Sequence, residues 1–379
     1  TIPIAAWLFL FVDMLLDKIA AVQVKETGFH EAGLFPSQIV WPSERKVVED
    51  NNIFFTALIV YTLQSIKSTM PVEDQALIDR ISAKARPTFF QYQNRQGGPT
   101  YNFYPVRPEN PFPGFRFLPR FEFAKLPDDL DCTAMIWLAQ SSTPETDRQV
   151  KQLMADQSSR SDRISSTFPA YRQSRAYRTW FATKMKQDLD VAVNCNVLTF
   201  VFEKGLPLDA VDAAAIDFIV QVVRSGQHVH QGHLVSSYYQ SPTVILYHLA
   251  RLIAVADHPD LNSLRETVIA DLKAMLTAAD NALEQVILLT SLHRLQAPVA
   301  FEIDLARLER DMPHFYWFRT NFLCGYPFWV KRLFGKEHFV NYRNQCEAYG
   351  WCLALELKQL ANATMENTGG GQPTSLKRQ

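Results

Sequence analysis

The sequence predicts an all-α fold, an (α/α)6 toroid in which six inner helices surround a central cavity and six outer helices cover them. The first observation is that six segments are apolar nearly all round, as expected of helices buried on every side. The second is that amphipathic segments alternate with them, at a repeat of roughly 40 to 80 residues that fits two helices plus loops. Strand signals are scarce in comparison.

The alternation can be followed along the chain from its first helix. The amphipathic segments cover residues 5–22, 73–85, 144–157, 208–226, 261–276 and 301–311. The apolar segments cover residues 50–66, 128–140, 188–205, 238–255, 279–295 and 345–361. We therefore predict one domain over 1–361 and a disordered tail over 362–379, since the tail is polar and poor in aromatic residues.

Composition limits the classes of function. The 379 residues are 47% hydrophobic and 20% charged, which suits a large buried core, and the net charge of −1 gives no general attraction to nucleic acid or to anionic membranes. The five cysteines are irregularly spaced, which predicts reduced thiols in a cytoplasmic protein. The apolar run 4–16 contains Asp13 and is too short to span a bilayer, so no stable membrane insertion is expected.

An acidic cluster opens the second apolar segment, in the stretch KLPDDLDCTAMIWLA. Asp128, Asp129 and Asp131 fall within four positions, directly before an apolar run. One helix needs one N-cap, so three carboxylates indicate more than capping. If all inner helices begin at the same end of the toroid, that end collects their partial positive charges. The polar residues expected to line it are Asn51, Asn52, Asp129, Asp131, Asp188, Asp190, Tyr238 and Asp280. Capping is the alternative role for Asn51, Asp188 and Asp280.

The hexapeptide DLDCTA, Asp129–Ala134, resembles the DxDD-type acid motif of class II terpene cyclases. It is most similar to the oxidosqualene-cyclase form, in which Cys-Thr-Ala follows the catalytic aspartate. The third acidic position is Cys132 in this chain. The resemblance implies a helical toroid in which Asp131 is the general acid and Asp129 and Cys132 assist it.

In size the chain resembles the single-toroid cyclases that are linked to haloacid-dehalogenase-like phosphatase domains and act on farnesyl diphosphate. The resemblance implies a bicyclic drimane-type diphosphate as product and a fused or separate phosphatase as partner, because no phosphatase nucleophile motif is visible in this chain. The only cofactor it suggests is Mg²⁺ accompanying the diphosphate. A start at Thr1 would suit a domain excised from a longer protein.

Protonation of an alkene requires a strong and well-oriented acid. Asp131 would lie in the first helical turn, where the helix dipole stabilises the carboxylate and lowers the pKa. We expect the neighbouring carboxylate of Asp129 to raise that pKa again. Cys132 could donate a hydrogen bond to the Asp131 carboxyl, whereas Thr133 is expected to bond to the helix backbone.

Substrate-binding residues are predicted from the needs of a carbocation and a diphosphate. Aromatic rings stabilise a cation, and the rings proposed for this are Trp137, Phe54, Phe121, Phe123, Tyr238 and Tyr239. Arg172, Arg175 and Arg178 share a three-residue spacing that would place them on one helical face for the diphosphate. Asp128, Asp188 and Asp190 complete the predicted set.

Other functions remain open at this point. The substrate could be geranylgeranyl diphosphate or another isoprenoid, or the chain could be a non-catalytic toroid that binds a lipid or a partner protein. A toroidal glycosidase would pair Asp131 with Asp188 or Asp190, although an aromatic wall suits an isoprenoid better than a sugar. His228, His230 and His233 could bind zinc, but we predict no metal site.

Overall fold

A computed structural model describes residues 4–41, 46–107, 126–158, 164–182, 186–321, 323–336 and 341–369. Within these residues the protein is predominantly helical. The helices are α1 Ile4–Val22, α2 Phe54–Ile66, α3 Val72–Ala85, α4 Leu130–Ala139, α5 Pro144–Ser158, α6 Val191–Glu203, α7 Ala210–Arg224, α8 Gln227–His230, α9 Gly232–Val235, α10 Pro242–Val255, α11 Pro259–Asn262, α12 Arg265–Ala278, α13 Ala282–Arg294, α14 Leu305–Asp311, α15 Phe328–Phe334 and α16 Glu347–Gly369.

Helices are present at all six positions predicted for inner helices, as α2, α4, α6, α10, α13 and α16. They contact one another in a closed cycle: each packs against the next in this order, and α16 packs against α2. Their described side chains are buried almost throughout, which explains why their sequences are apolar on all sides.

Helices are also present at the positions predicted for outer helices, as α1, α3, α5, α7, α12 and α14. Helix α1 packs on α16, α3 on α2, α7 on α6, and α12 on both α10 and α13. A buried ion pair joins two neighbouring outer helices, with Lys151 Nζ of α5 lying 2.6 Å from Asp212 Oδ2 of α7. Tyr177 donates a further hydrogen bond to Asp212 at 2.7 Å, so this buried carboxylate is well paired.

A small antiparallel sheet was not predicted. Its order is β2-β1-β4-β3, with β1 Ser37–Trp41, β2 Lys46–Asp50, β3 Phe318–Asn321 and β4 Asn341–Gln345. In the pairing of β1 with β4, Gln38 lies opposite Gln345. The strands are only four or five residues long, and the pairing of β1 with β4 joins opposite ends of the chain, so they leave little local pattern in the sequence.

Side-chain caps fix the starts of three inner helices. The carboxylates of Asp129 and Asp190 accept backbone N–H groups at the starts of α4 and α6, and Asn281 does the same for α13. Asp280 is exposed, so the expectation that it lines the interior is wrong. Its neighbour takes the capping position instead.

The observed helix ends can be compared with the predicted domain boundary. Helix α16 continues to Gly369, which is beyond the predicted domain end at 361, and residues 370–379 lie outside the described part. None of the described helices is both long enough and apolar enough to cross a bilayer. The five cysteines are free thiols, as their irregular spacing predicted.

Candidate active site

The centre of the candidate site is the carboxyl group of Asp131, in the first turn of α4. Asp131 is only 7% exposed. Its Oδ1 accepts a hydrogen bond from the side-chain amide of Asn196 on α6, and its Oδ2 accepts one from the hydroxyl of Tyr239. Both oxygens are therefore held by groups from other elements, which fixes the orientation of the carboxyl group.

A buried guanidinium lies behind this amide. Arg251 of α10 is 2% exposed and donates to the side-chain oxygen of Asn196, which connects it indirectly to Asp131. The guanidinium also lies over the rings of Tyr61 and Tyr247, at 5.6 and 5.7 Å from their centroids. Neither Asn196 nor Arg251 was predicted as a site residue. The available signal was a polar side chain in an otherwise apolar inner helix.

Burial raises the pKa of Asp131 to about 6, and this effect exceeds the opposing effects of Asn196, Tyr239 and Arg251, which lower it. Near neutral pH a larger fraction of this group therefore carries its proton than in an exposed aspartate. The expected cause was the charge of Asp129. The principal cause is instead loss of solvent.

Asp129 has a different role from its neighbour. Its Oδ1 caps α4 by accepting the N–H of Cys132 at 2.6 Å. Burial, and next the charge of Asp131, raise the pKa of Asp129 well above its usual value. The thiol of Cys132 bonds to Asp129 and not to Asp131, contrary to expectation. The Thr133 hydroxyl donates to the backbone carbonyl of Asp129 at 2.6 Å, as predicted.

Asp128 is tied to a neighbouring loop. Its Oδ2 accepts hydrogen bonds from the Asn94 amide and the Thr100 hydroxyl, each at 2.6 Å. A longer contact of 3.4 Å joins Oδ1 to the Asn102 amide. These bonds hold the loop 94–102 against the start of α4, so the Asp128 carboxylate supports the site through this loop.

Aromatic rings surround Tyr239, the hydroxyl donor to Asp131. Phe54 lies 6.3 Å and Phe318 of β3 lies 6.2 Å from its ring centroid, and these two rings meet edge to face at 5.6 Å. Trp137 instead packs against Tyr101 at 5.9 Å, and its indole N–H donates to the carbonyl of Pro99. Its contacts are thus with the supporting loop. Phe121 and Phe123 lie outside the described residues.

A second buried acidic pair precedes α6. The Asp190 carboxylate caps that helix and accepts further bonds from the Ser236 hydroxyl at 2.7 Å and the Tyr238 N–H at 3.1 Å. Burial raises its pKa to about 7, with Asp188 adding to the shift. Because Asp190 is committed to the fold in this way, it is poorly suited to pair with Asp131 as in a glycosidase.

Asp188 has a cationic neighbour. Burial raises its pKa, and the ammonium of Lys331 on α15 is the largest opposing effect. Lys331 is 1% exposed and donates to the Ser237 hydroxyl at 2.9 Å. The Tyr238 hydroxyl accepts the indole N–H of Trp180 at 3.1 Å, and burial, followed by the charge of Asp188, raises the pKa of Tyr238. Tyr238 and Asp188 therefore belong to a cluster with Lys331, separate from the bonds that hold Asp131.

The three predicted phosphate-binding arginines do not share a helical face. The chain is irregular over 172–182, and Arg172 is half-buried, Arg175 exposed and Arg178 buried. Two side chains take up backbone groups there: Ser158 accepts the N–H of Arg178 at 3.1 Å, and Asn194 accepts that of Tyr177 at 3.0 Å. These bonds hold the segment extended, which is why the helical reading of its spacing is wrong.

The histidines of 228–233 do not act together either. His228 bonds to Asp271 at 2.8 Å, whereas His230 is exposed. Across the described ranges, no three His, Cys, Asp or Glu side chains are grouped so that they could hold a metal ion.

Comparison with known proteins supports the fold. No protein-family model matches the sequence, and no curated protein matches it. Among solved structures, a variant of the type II terpene cyclase MstE from Scytonema, in complex with its substrate geranylgeranyl dihydroxybenzoate, superposes with a TM-score of 0.52. The match covers 94% of this chain and 99% of that one at 11% sequence identity. The described protein therefore has the fold of a class II terpene cyclase.

Proposed function

We propose that this protein is a class II terpene cyclase, built as an (α/α)6 toroid, that protonates a linear isoprenoid through Asp131. The observation that carries the proposal is the carboxyl group of Asp131 itself: buried, held at both oxygens, and set beside aromatic rings. The fold shared with a type II terpene cyclase supports it, as does the DLDCTA motif in which this aspartate lies.

The arrangement suits an acid that acts on an alkene. The π electrons of a terminal double bond would take the proton from the Asp131 carboxyl, leaving a carboxylate and a tertiary carbocation. The new negative charge is stabilised by the bonds from Asn196 and Tyr239, and by Arg251 acting through Asn196. The rings of Phe54 and Phe318 present π faces and edges, not nucleophiles, to the cation.

For the substrate we propose farnesyl diphosphate first, with a drimane-type bicyclic diphosphate as product. A geranylgeranyl compound is the alternative, since the solved neighbour binds one. The irregular path of segment 172–182 weakens the argument for Arg172, Arg175 and Arg178 as a joint phosphate site. Mg²⁺ with a diphosphate, a phosphatase partner and a cytoplasmic location belong to the same proposal.

The test is to incubate the protein with farnesyl and geranylgeranyl diphosphates, with and without Mg²⁺, and to identify dephosphorylated products by gas chromatography and mass spectrometry. We expect a cyclic product from one of them. Asp131→Asn should remove it while the protein stays folded, because an amide cannot supply the proton.

Asp128→Asn is the matched control, since it changes a carboxylate of the same cluster whose bonds are with the loop 94–102. It should retain turnover. If wild type yields no cyclic product from any linear isoprenoid, or if Asp131→Asn is as active as wild type, the proposal is wrong.

A further inference from the structure

His248 of α10 is fully buried and has one ring nitrogen already engaged. Its Nδ1 lies 2.7 Å from the carbonyl oxygen of Val244, one turn earlier in the helix. A carbonyl oxygen can only accept, so Nδ1 carries the hydrogen and donates. This fixes the neutral tautomer in which Nε2 holds a lone pair. Within the part of the chain that the structure describes, Nε2 has no hydrogen-bond partner.

The imidazole lies beside the groups that hold the proposed acid. Its ring centroid is 4.6 Å from that of Tyr239, whose hydroxyl donates to Asp131. The rings of Tyr247 and Trp317 lie 5.9 and 6.0 Å away. Nε2 is thus a basic atom among aromatic rings, and its imidazole packs against Tyr239, the residue whose hydroxyl donates to Asp131.

Its surroundings keep the imidazole neutral. Burial, and next the positive charge of Arg251, hold the pKa of His248 well below its usual value. A weak base is sufficient for a carbocation, which is a very strong acid. A low pKa also favours release of the proton afterwards, so the base would not stay charged between turnovers.

We propose that His248 is the base that ends the cyclisation by removing a proton from the final carbocation. This inference rests on the proposed cyclase function. A C–H bond next to the cationic carbon breaks, its electron pair becomes the new C=C bond, and the proton moves to Nε2. After product release the imidazolium gives its proton to water, and Asp131 takes one up from water, so the net reaction is an isomerisation.

Other buried groups suit this step less well. His228 is also buried, but it bonds to Asp271. The Asp190 carboxylate already accepts bonds at both oxygens and caps α6. The free lone pair and the place beside Tyr239 are combined in His248.

The experiment uses two substitutions of His248, each of which replaces the imidazole by a side-chain amide near one of its two ring nitrogens. His248→Asn keeps a donor near the Nδ1 position for Val244 but has no atom at the Nε2 position. We expect the normal deprotonation to slow by about 100-fold, as for loss of a general base. Because protonation by Asp131 is unaffected, substrate should still be consumed, with the wild-type alkene replaced by hydroxylated or isomeric products.

His248→Gln places an amide near Nε2 and keeps the fold testable if the asparagine variant is unstable. An amide is a far weaker base, so the same change of products is expected. His228→Asn, at a buried histidine outside the site, should leave the product profile unchanged. An unchanged profile in the folded His248 variants, or complete loss of substrate consumption by them, overturns the inference. Failure of wild type to consume any isoprenoid would instead overturn the proposed function.

Discussion

The tripeptide Asp-Leu-Asp occurs twice before an inner helix, at 129–131 and at 188–190, and its two copies have different roles. Helix α4 begins directly after the first aspartate of its copy, whereas α6 begins after the second. In the first copy the capping residue is therefore Asp129, and Asp131 lies in the first turn without a capping role. In the second copy Asp190 is the cap and Asp188 precedes the helix.

This two-residue difference in where the helix begins decides which carboxyl group is available for chemistry. Among the described residues, the Asp131 carboxyl group is held by the side chains of Asn196 and Tyr239 and forms no ion pair. Asp188 has the ammonium of Lys331 as its main stabilising charge, and Asp190 is bound by backbone N–H groups. The same three letters thus give an acid in one place and a structural cluster in the other.

The sharpest test of this comparison is to substitute the second aspartate of each copy. Asp131→Asn should lower turnover by about 10²–10⁴-fold, the contribution typical of a general acid. Asp190→Asn should lower it by less than about tenfold, since asparagine also caps helices well. Product formation under identical conditions measures both. Equal losses would mean that the two copies share the chemistry.

The next largest effect is expected on stability in the second copy. Lys331→Met removes the cation beside Asp188 and leaves a buried carboxylate without its main compensating charge. We expect a loss of about 3 kcal/mol in the free energy of unfolding, measured by denaturant titration. Adding Asp188→Asn should recover most of it. No recovery in the double variant would show that Lys331 stabilises by packing alone.

A smaller effect concerns the pH dependence set by the first copy. The acid form of Asp131 is required, and its pKa is about 6, so turnover should fall as the pH rises through 6. The charge of Arg251 lowers this pKa. Arg251→Met should therefore raise it and move the falling limb to higher pH.

The control for that profile is Arg148→Met, at an exposed arginine of α5 that pairs only with Glu145 among the described ion pairs. It should leave the limb in place. A limb that stays fixed in Arg251→Met would mean that another group sets the pH dependence.

The smallest effect separates capping from chemistry in the first copy. Asp129→Asn keeps a side-chain oxygen for the N–H of Cys132, so stability should change by only a few tenths of a kcal/mol. Asp129→Ala removes the cap and should cost about 1 kcal/mol. Thermal unfolding of both variants measures the difference. A large loss already in Asp129→Asn would show that the carboxyl group of Asp129 contributes to stability by more than the cap.

The helices were predictable because a buried or half-buried helix has a local sequence pattern, with apolar residues on every side or on one face. The sheet was not, since its central pairing joins Gln38 to Gln345 and no local pattern records a partner so distant. The position of Asp131 followed from the motif. Its partners Asn196 and Arg251 could be found only once α4, α6 and α10 were placed side by side.

For the arginines of 172–182, the local pattern predicted a helix that the structure does not contain. Their spacing fitted a helix, but Asn194 and Ser158 bind the backbone of this segment from outside, a tertiary effect that overrides the local pattern. The predicted hydrogen bond from the Cys132 thiol to Asp131 was wrong for a similar reason. Asp129 occupies the capping position, which brings its carboxyl group next to residue 132.

The closed cycle of inner helices has a consequence for how the protein is made. Helix α16 completes the cycle by packing on α2, α13 and α1, and the pairing of β1 with β4 bridges 307 positions of the chain. Until α16 has left the ribosome, the apolar faces of α2 and α13 have no cover. Such late closure predicts slow folding with an aggregation-prone intermediate, and hence yields that improve with chaperones and low temperature.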